Sequence, residues 1–538
     1  MNRARGEAGR RLRRELGLPQ VTASGVGIIV GAGIYVLLGS AAERAGTAVW
    51  VSFALAGFLS ALTALSYAEL AAMFPAAGAE YDYTRHVSPR WVAFLVGWVM
   101  IAGLVVAAGA VALGFGQYLR HFVDVPVGIG ALGLLGAVGA VAHRGIRQSA
   151  RLILALSLVQ VGGLLVVIAI GVPHLGDHSL IHDVSLNGVV SGAALVFFAF
   201  IGFDEVITLS EETREPVRTI PRGLFLALGI STVLYMAVAV AAVSVLGAGR
   251  LAGAEQPLAA VMATAVGSAG ADVVAVIAMV ATTNAALLCI TASSRLQYGM
   301  AQQGALPPVI GRLDARSVPT VAVAVAAVGA ASAAVLGDLT LVASVTDFAV
   351  YLVFVAVNLV VIVLRYRQPH RLRPFRVPVT VGRLPLPTVA ALLVVLVMVP
   401  GLDPAALALG AGLVAVGLAV HLSLVRWGPA VSPASPVGDD GTMRRRTVTI
   451  DEAASVMAAL HVDPAAVAWD LEQFRMGMQS ELAHGRVDPD TNITDDDLVM
   501  TAKIALAHLV EIPDYYTRLA AMEAAAFDDQ AHPGHGEG

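Results

Sequence analysis

The stretch GVGIIVGAGIYVLLG, residues 25–39, lies in the first long apolar segment of the chain. Gly25, Gly27, Gly31 and Gly33 crowd its middle. Glycine weakens a helix interior by about 1 kcal/mol relative to alanine. Two readings explain so many in one membrane segment. Gly27-x-x-x-Gly31 fits the small-residue pattern of close helix contacts. Alternatively, the helix is built to unwind, which a bilayer tolerates only where the backbone faces protein or a water-filled cavity. The glycines alone leave both open.

The rest of the chain sets the context. Of its 538 residues, 57% are hydrophobic and only 14% charged, and the mean hydropathy is +0.76. Soluble domains carry roughly 25% charged residues, so the composition is that of an integral membrane protein. Hydropathy picks out about twelve stretches of spanning length. They fall near 20–40, 47–74, 91–119, 126–142, 151–171, 188–210, 223–246, 272–298, 319–336, 339–364, 385–401 and 404–425. Arginine is confined to alternate connections, such as RARGEAGRRLRREL (3–16), RGIRQSAR (144–151), EETREPVRTIPR (211–222) and RYRQPHRLRPFR (365–376). The opposite connections hold Arg44, Arg120 and Arg250. That asymmetry places both termini in the cytoplasm. The head lacks a separate apolar segment with a cleavage site, so no removable signal peptide is expected. Cys289 is the single cysteine and reads as a small packed residue inside a span.

A second interruption decides between the two readings of the glycines. LVFFAFIGFDEVITLSEET, residues 195–213, carries Gly202 at its centre, followed by Asp204 and Glu205 at membrane depth. Spans 1 and 6 are corresponding members of two five-helix halves, and paired interruptions at such positions point to a transporter binding site. Span 1 runs outward, so its second half opens with free N–H groups at Ala32 and Gly33, which suit a carboxylate. Span 6 runs inward, so its first half leaves the carbonyls of Phe198, Ala199 and Ile201 free, which suit an ammonium. The two clusters together describe a receptor for a zwitterion, an α-amino acid.

Beyond residue 426 the chain changes character. WGPAVSPASPVGDDGTM, residues 427–443, is a linker rich in proline, serine and glycine. Residues 444–530 are polar with helical periodicity, a small all-helical cytoplasmic domain, and 531–538 read as a disordered tail. Thr449 before Glu452 forms a capping-box pattern, and Thr494 before Asp497 a weaker one. Glu481 and His484 lie three apart, with His508 later, the spacing of a helical-bundle metal site. One such pair without its counterpart favours capping and core hydrogen bonds over a metal. No cofactor is expected. No phosphate-cradling loop followed by lysine appears, which argues against an ATP-driven engine. No basic stripe with aromatics appears, which argues against nucleic acid as a partner.

Six motifs tie the membrane region to a known family. GVGIIVGAGIY (25–35), SYAELAAMFPAAGAEYDYT (66–84), RGIRQSARL (144–152), FFAFIGFDEVITLSEETREPVRTIPRG (197–223), ASSRLQYGMAQQGALP (292–307) and RPFRVP (373–378) resemble those of the amino acid–polyamine–organocation permeases. They are most similar to the cationic amino acid transporters and their bacterial relatives. The resemblance covers about residues 15–425. It implies an all-α membrane fold of twelve helices, an inverted five-plus-five repeat with discontinuous helices 1 and 6, over residues 20–426 behind a cytoplasmic head, 1–19. It implies substrate contacts from Ile29, Gly31, Ala32 and Gly33 on helix 1, and from Phe198, Ala199, Ile201 and Gly202 on helix 6, with Phe198 as an aromatic lid. Glu211 and Glu212 are expected to pair with arginine in a cytoplasmic connector. The tail resembles a small bacterial helical family of unknown function.

Two departures matter. Related transporters place a titratable residue, often lysine, where this chain has Gln160. An amide cannot carry a proton, so either the amide replaces the cation's hydrogen bonds, another group couples, or the protein exchanges or facilitates. Gly103 stands where cationic-substrate relatives tend to place an acid, which favours a neutral substrate. Asp204, Ser293, Ser294 and Asp347 are the remaining polar candidates for coupling or the pore. Glu69 reads as structural. The expected partners are an amino acid, the lipid bilayer of the plasma membrane, and a coupling proton or sodium ion. The competing readings are an amino acid receptor on a permease scaffold, with the tail as its output domain, and an amine or polyamine transporter.

Overall fold

A computed structural model describes residues 16–74, 79–145, 150–182, 184–208, 213–314, 316, 318–369, 371, 373–427, 448–460, 462, 467–482 and 498–522. The chain divides into two compact units, Met1–Pro429 and Ala430–Gly538. The first segment is split in two, α1 (Leu18–Ile29) and α2 (Gly33–Ala45). Then follow α3 (Val49–Met73), the short α4 (Ala79–Arg85), α5 (Arg90–Leu119), α6 (Val127–His143) and α7 (Ala150–Gly171). The sixth segment is also split, into α8 (Leu186–Val196) and α9 (Glu205–Thr208). The remainder is α10 (Pro216–Leu246), α11 (Ala248–Ala252), α12 (Pro257–Val266), α13 (Ser268–Gln302), α14 (Thr320–Ala334), α15 (Leu339–Arg367), α16 (Leu386–Met398) and α17 (Pro404–Trp427). The only sheet among the described residues is a two-residue hairpin, Thr380–Val381 against Leu384–Pro385.

Among the described residues, eight helical stretches are long and apolar enough to cross a membrane, the first running through α2 and α3 as Gly33–Met73. Five further apolar helices are shorter, including Leu18–Ile29, Pro257–Val266 and Thr320–Ala334. Eight spans thus rest on length, and the expected twelve rest on the hydropathy pattern. The shortfall has a local cause at the amino end, where the break leaves α1 only 12 residues. α5 is the central post. α13, α15, α14, α6 and α17 all pack on it, while α10 packs on α3 and on α1. Apolar side chains such as Leu158, Leu165, Val233 and Leu396 face outward, as a lipid-facing surface requires.

One buried carboxylate in this unit is paired twice over. Glu69, at the end of α3, is fully buried. Arg365 donates to it through Nε at 3.1 Å and Nη2 at 2.5 Å. Arg373 Nε lies 3.3 Å away, and the Val377 N–H donates to it at 2.7 Å. The arginine and the valine of RPFRVP are therefore pinned to α3 by one carboxylate, the structural role expected of Glu69.

The second unit has its own core, built from Trp469, Phe474, Met478, Leu509 and Tyr516 on and around α18 (Ile450–Ala459), α19 (Leu471–Leu482) and α20 (Leu498–Glu511). The capping box at its start is formed in both directions. Thr449 N–H donates to Glu452 Oε2 at 3.0 Å, and Glu452 N–H donates to Thr449 Oγ1 at 3.2 Å. Thr494 and Asp497 lie outside the described residues.

Breaking a buried ion pair by removing one partner costs about 3–5 kcal/mol, because the other charge is left uncompensated. Glu69→Ala strands two arginines and should lower thermal stability by an amount of that order. Denaturation of the purified protein in detergent measures it, and an unchanged melting temperature would contradict the latch.

Candidate functional site

The first break is short. Val30 leaves the helix with φ −74° and ψ 76°. The Gly31 N–H turns back to the Ile29 carbonyl at 2.8 Å, and α2 restarts at Gly33. The first N–H groups of α2 have no intrahelical acceptor. The second break begins as a tight 3₁₀ turn, Phe197–Phe200, then Ile201 goes extended with ψ 136°. Gly202 follows at φ +107°, a conformation that favours glycine, before the single turn of α9.

The four opening glycines divide into two pairs. A Cβ on Gly25 would meet Ala227 at 2.8 Å, and one on Gly27 would collide with Ser157. These two permit close packing of α1 on α10 and α7. A Cβ on Gly31 would make only ordinary contacts, with Ala285 and the Ile29 carbonyl, both at 3.9 Å. A Cβ on Gly33 would lie 2.5 Å from Ala199 Cα. Gly33 is therefore where the two breaks touch. Close packing holds for Gly27 but not for Gly31, its partner in the small-residue pattern, which lies in the break with Gly33.

One side chain joins the breaks. The Tyr235 hydroxyl on α10 lies 2.8 Å from the Ile29 carbonyl and 3.0 Å from that of Ala199, a donor shared between them. Tyr35 donates to the Gln160 carbonyl at 2.7 Å, and Tyr118 donates to the Tyr35 carbonyl at 2.7 Å. These tyrosines were not singled out from the sequence, because a lone tyrosine in an apolar helix carries no local signal.

A cavity lies between the breaks. Ile29, Gly31, Ala32 and Gly33 line it from the first, and Phe198, Ala199, Ile201, Gly202 and Asp204 from the second. Leu104, Ala107 and Val111 of α5 form one wall, and Ala285, Leu288 and Cys289 of α13 another. Its backbone lining is polar. α2 opens with N–H groups that no intrahelical carbonyl takes, and in the second break the Phe198 carbonyl accepts from Ile201 N–H at 3.3 Å and the Ala199 carbonyl from Tyr235, each keeping a second lone pair. Phe197 and Phe200 turn into the core, against Tyr351 at 4.7 Å and Tyr235 at 5.2 Å. Phe198 turns to the cavity.

Comparison with known proteins follows this geometry. Residues 16–421 match the sequence profile of the family described as "Amino acid permease". The chain belongs to the amino acid permease family. The branched-chain amino acid permease BcaP of Bacillus subtilis (strain 168) is 29% identical over 391 residues, covering 68% of this chain and 84% of that protein. The methylthioribose transporter of the same organism is 31% identical over 393 residues, with the same shares. The cationic amino acid transporter 2, vacuolar, of Arabidopsis thaliana is 30% identical over 390 residues, covering 67% of this chain and 61% of that protein. All are transporters, and none is named as an enzyme. Residues 453–525 match a family described as "Protein of unknown function (DUF5661)".

Other candidates fall away from the permease's cavity. Gln160 is fully buried, and neither atom of its amide has a hydrogen-bond partner. Ser293 Oγ accepts from Gln297 Nε2 at 3.2 Å, and Ser294 Oγ donates to the Thr291 carbonyl at 2.8 Å. Asp347 lies on α15, fully buried and outside the lining. Gly103 points the wrong way: a Cβ there would meet Ala349 at 3.2 Å, so an acid at this position would face α15. The stripe 104, 107, 111 on α5, spaced i, i+3, i+7, is the signal that marks the true wall. Cys289 packs against the core as a small residue and also lines the wall. Glu211 and Glu212 lie outside the described residues.

Glu80, on α4 between two spanning helices, went unnoticed in the sequence. It is buried and accepts from the Tyr67 hydroxyl at 3.0 Å. Burial, and after it the Asp204 carboxylate, pushes the Glu80 carboxyl up to about 8. In the tail, Glu481 accepts from Tyr516 at 2.9 Å, and His508 Nε2 lies 3.9 Å from it. His484 lies outside the described residues. Among the described residues no three metal-ligating groups cluster.

The contact of Gly33 with Ala199 makes a sharp test. Overpacking a tight site costs about 1–3 kcal/mol, so Gly33→Ala should weaken substrate binding roughly ten- to hundredfold, and Gly33→Leu should abolish uptake while the protein still inserts. Uptake near normal in Gly33→Leu would remove this glycine from the site.

Proposed function

We propose that this permease moves an α-amino acid with a neutral, apolar side chain across the plasma membrane by alternating access. The observation that carries the reading is the cavity between the two breaks. It offers N–H groups to a carboxylate and carbonyl oxygens to an ammonium, and its walls, Leu104, Val111, Ala285 and Leu288, are apolar. Ile29, Gly31, Ala32 and Gly33 hold the carboxylate side. Phe198, Ala199, Ile201 and Gly202 hold the ammonium side. A branched-chain amino acid permease among the relatives accords with such walls. In this reading twelve helices cross the membrane as an inverted five-plus-five repeat with two added helices. Both termini are cytoplasmic, and the tail is a separate cytoplasmic domain.

A second reading, an amine lacking a carboxylate, draws on Asp204 and Glu205, which also line the cavity. It would leave the N–H groups of α2 without a ligand. Counterflow in proteoliposomes separates the two. Labelled leucine or isoleucine should exchange against unlabelled leucine, while lysine and spermidine should not compete. Competition by spermidine alone would overturn the amino acid reading. Specific binding of leucine without any flux would make the protein a receptor.

A further inference from the structure

Secondary transport uphill needs a group that gains and loses an ion. Residues 1–429 contain no lysine, since the chain's single lysine is Lys503 in the tail. Gln160 cannot titrate. Beside the histidines, the titratable candidates are acids; Asp204 and Glu205 line the substrate cavity, and three others are already engaged. Glu69 holds Arg365 and Arg373, Asp82 pairs with Arg85 at 3.1 Å, and Glu80 accepts from Tyr67.

Asp347 differs. It is fully buried, and neither carboxylate oxygen has a hydrogen-bond partner. One turn earlier on α15, Ser344 is also fully buried with its hydroxyl unpartnered. Two orphaned polar groups on one helix face are costly to bury without purpose. Their surroundings can be read from the same face. Thr340 Oγ1 meets Ser40 Oγ of α2 at 3.0 Å. Tyr351 donates to the Ala194 carbonyl of α8 at 3.1 Å. Residues 340, 344, 347 and 351 follow helical spacing, so Ser344 and Asp347 look into the seam between α2 and α8. These are the two half-helices that end at the breaks.

One cation acts on Asp347 electrostatically. Arg44, at the end of α2, places Nη1 3.4 Å from the Ser191 carbonyl and 3.5 Å from that of Gly401. Both contacts are long, and its guanidinium feels Asp403, Asp347, Glu43 and Asp338. The other elements packed on α15 bring little charge to this end. α8, α14, α16 and the turn 197–200 carry no titratable side chain. On α5 the Tyr118 hydroxyl is committed to Tyr35, and Arg90 stands at the first residue. On α3 and α4, Tyr67, Glu69, Glu80, Asp82 and Arg85 gather with Arg365, which is 18 positions from Asp347, about 27 Å along the helix. On α17 the His421 ring packs on Phe94 at 4.9 Å, near Arg90, with Arg426 beyond it.

We propose that Asp347 is the proton-carrying group of this permease. Protonated, it sits neutral beside Ser344 in the seam. When its O–H bond breaks, the proton leaves to water and the carboxylate draws the Arg44 guanidinium off the Ser191 and Gly401 carbonyls. That ion pair ties α2 to α15 and gives up the Arg44 contact to α8, so the protonation state biases whether the two half-helices separate. A hard metal cation fits less well. Such ions take about six oxygens, whereas Asp347 and Ser344 supply three.

The proposal rests on the transport reading above, so its test separates the two. Leucine counterflow without any gradient tests transport alone. At one proton per substrate, a gradient of one pH unit sustains about tenfold accumulation. The wild type should reach such accumulation with the acid side outside and should ignore a sodium gradient. Asp347→Asn should lose it, lowering the ratio of gradient-driven accumulation to counterflow by about the same factor. Ser344→Ala, a milder change, should shift the pH midpoint of accumulation. Independently of flux, the infrared carbonyl band of protonated carboxyls at neutral pH should lose one component in Asp347→Asn and keep that of Glu80. Gradient-driven accumulation that survives in Asp347→Asn, accumulation driven by sodium, or an unchanged carboxyl band would overturn the assignment.

Discussion

A backbone that leaves the helix inside a membrane must find partners for the groups it frees. Here one hydroxyl meets much of that demand. Tyr235 reaches both Ile29 and Ala199, so the two breaks are braced from a third helix and held against each other at Gly33. The remaining free N–H and carbonyl groups then have one place to face, the cavity. The binding geometry is a consequence of where the helices cannot complete themselves.

The same economy governs charge. Residues 1–429 spend one carboxylate, Glu69, on fixing a loop through two arginines and a backbone N–H. They keep Glu80 under a tyrosine beside the second break and leave Asp347 bare. A buried pair is a latch, whereas a buried carboxyl without a partner is able to change state. The absence of lysine from these residues makes that distinction matter, because no buried lysine is available there to carry a proton.

Much of this was legible before the structure. The breaks in spans 1 and 6 are written in glycine and in misplaced acids, so all eight backbone-contact candidates and Asp204 fall on the cavity. Glu69 at a span end reads as structural, while its partners Arg365 and Arg373, about 300 positions away, show only in the structure. What escaped depends on rotation about a helix axis. Gly103 and Leu104 are neighbours in sequence, yet one faces α15 and the other the cavity. A uniformly apolar helix gives no periodic signal to fix that angle. Tyr235 escaped for a related reason, since its partners are carbonyls far away in sequence. The split of the four glycines into packing and break pairs needed the identities of their neighbours, Ala227, Ser157 and Ala199.

The central claim is that the two breaks form one receptor for a zwitterion. A structure determined with a bound branched-chain amino acid tests it most directly. The account predicts the carboxylate within hydrogen-bond distance of the Ala32 and Gly33 N–H groups, the ammonium at the carbonyls between Phe198 and Ile201, and the side chain against Leu104 and Leu288. A ligand seated elsewhere, or one turned with its ammonium toward Gly33, would contradict it.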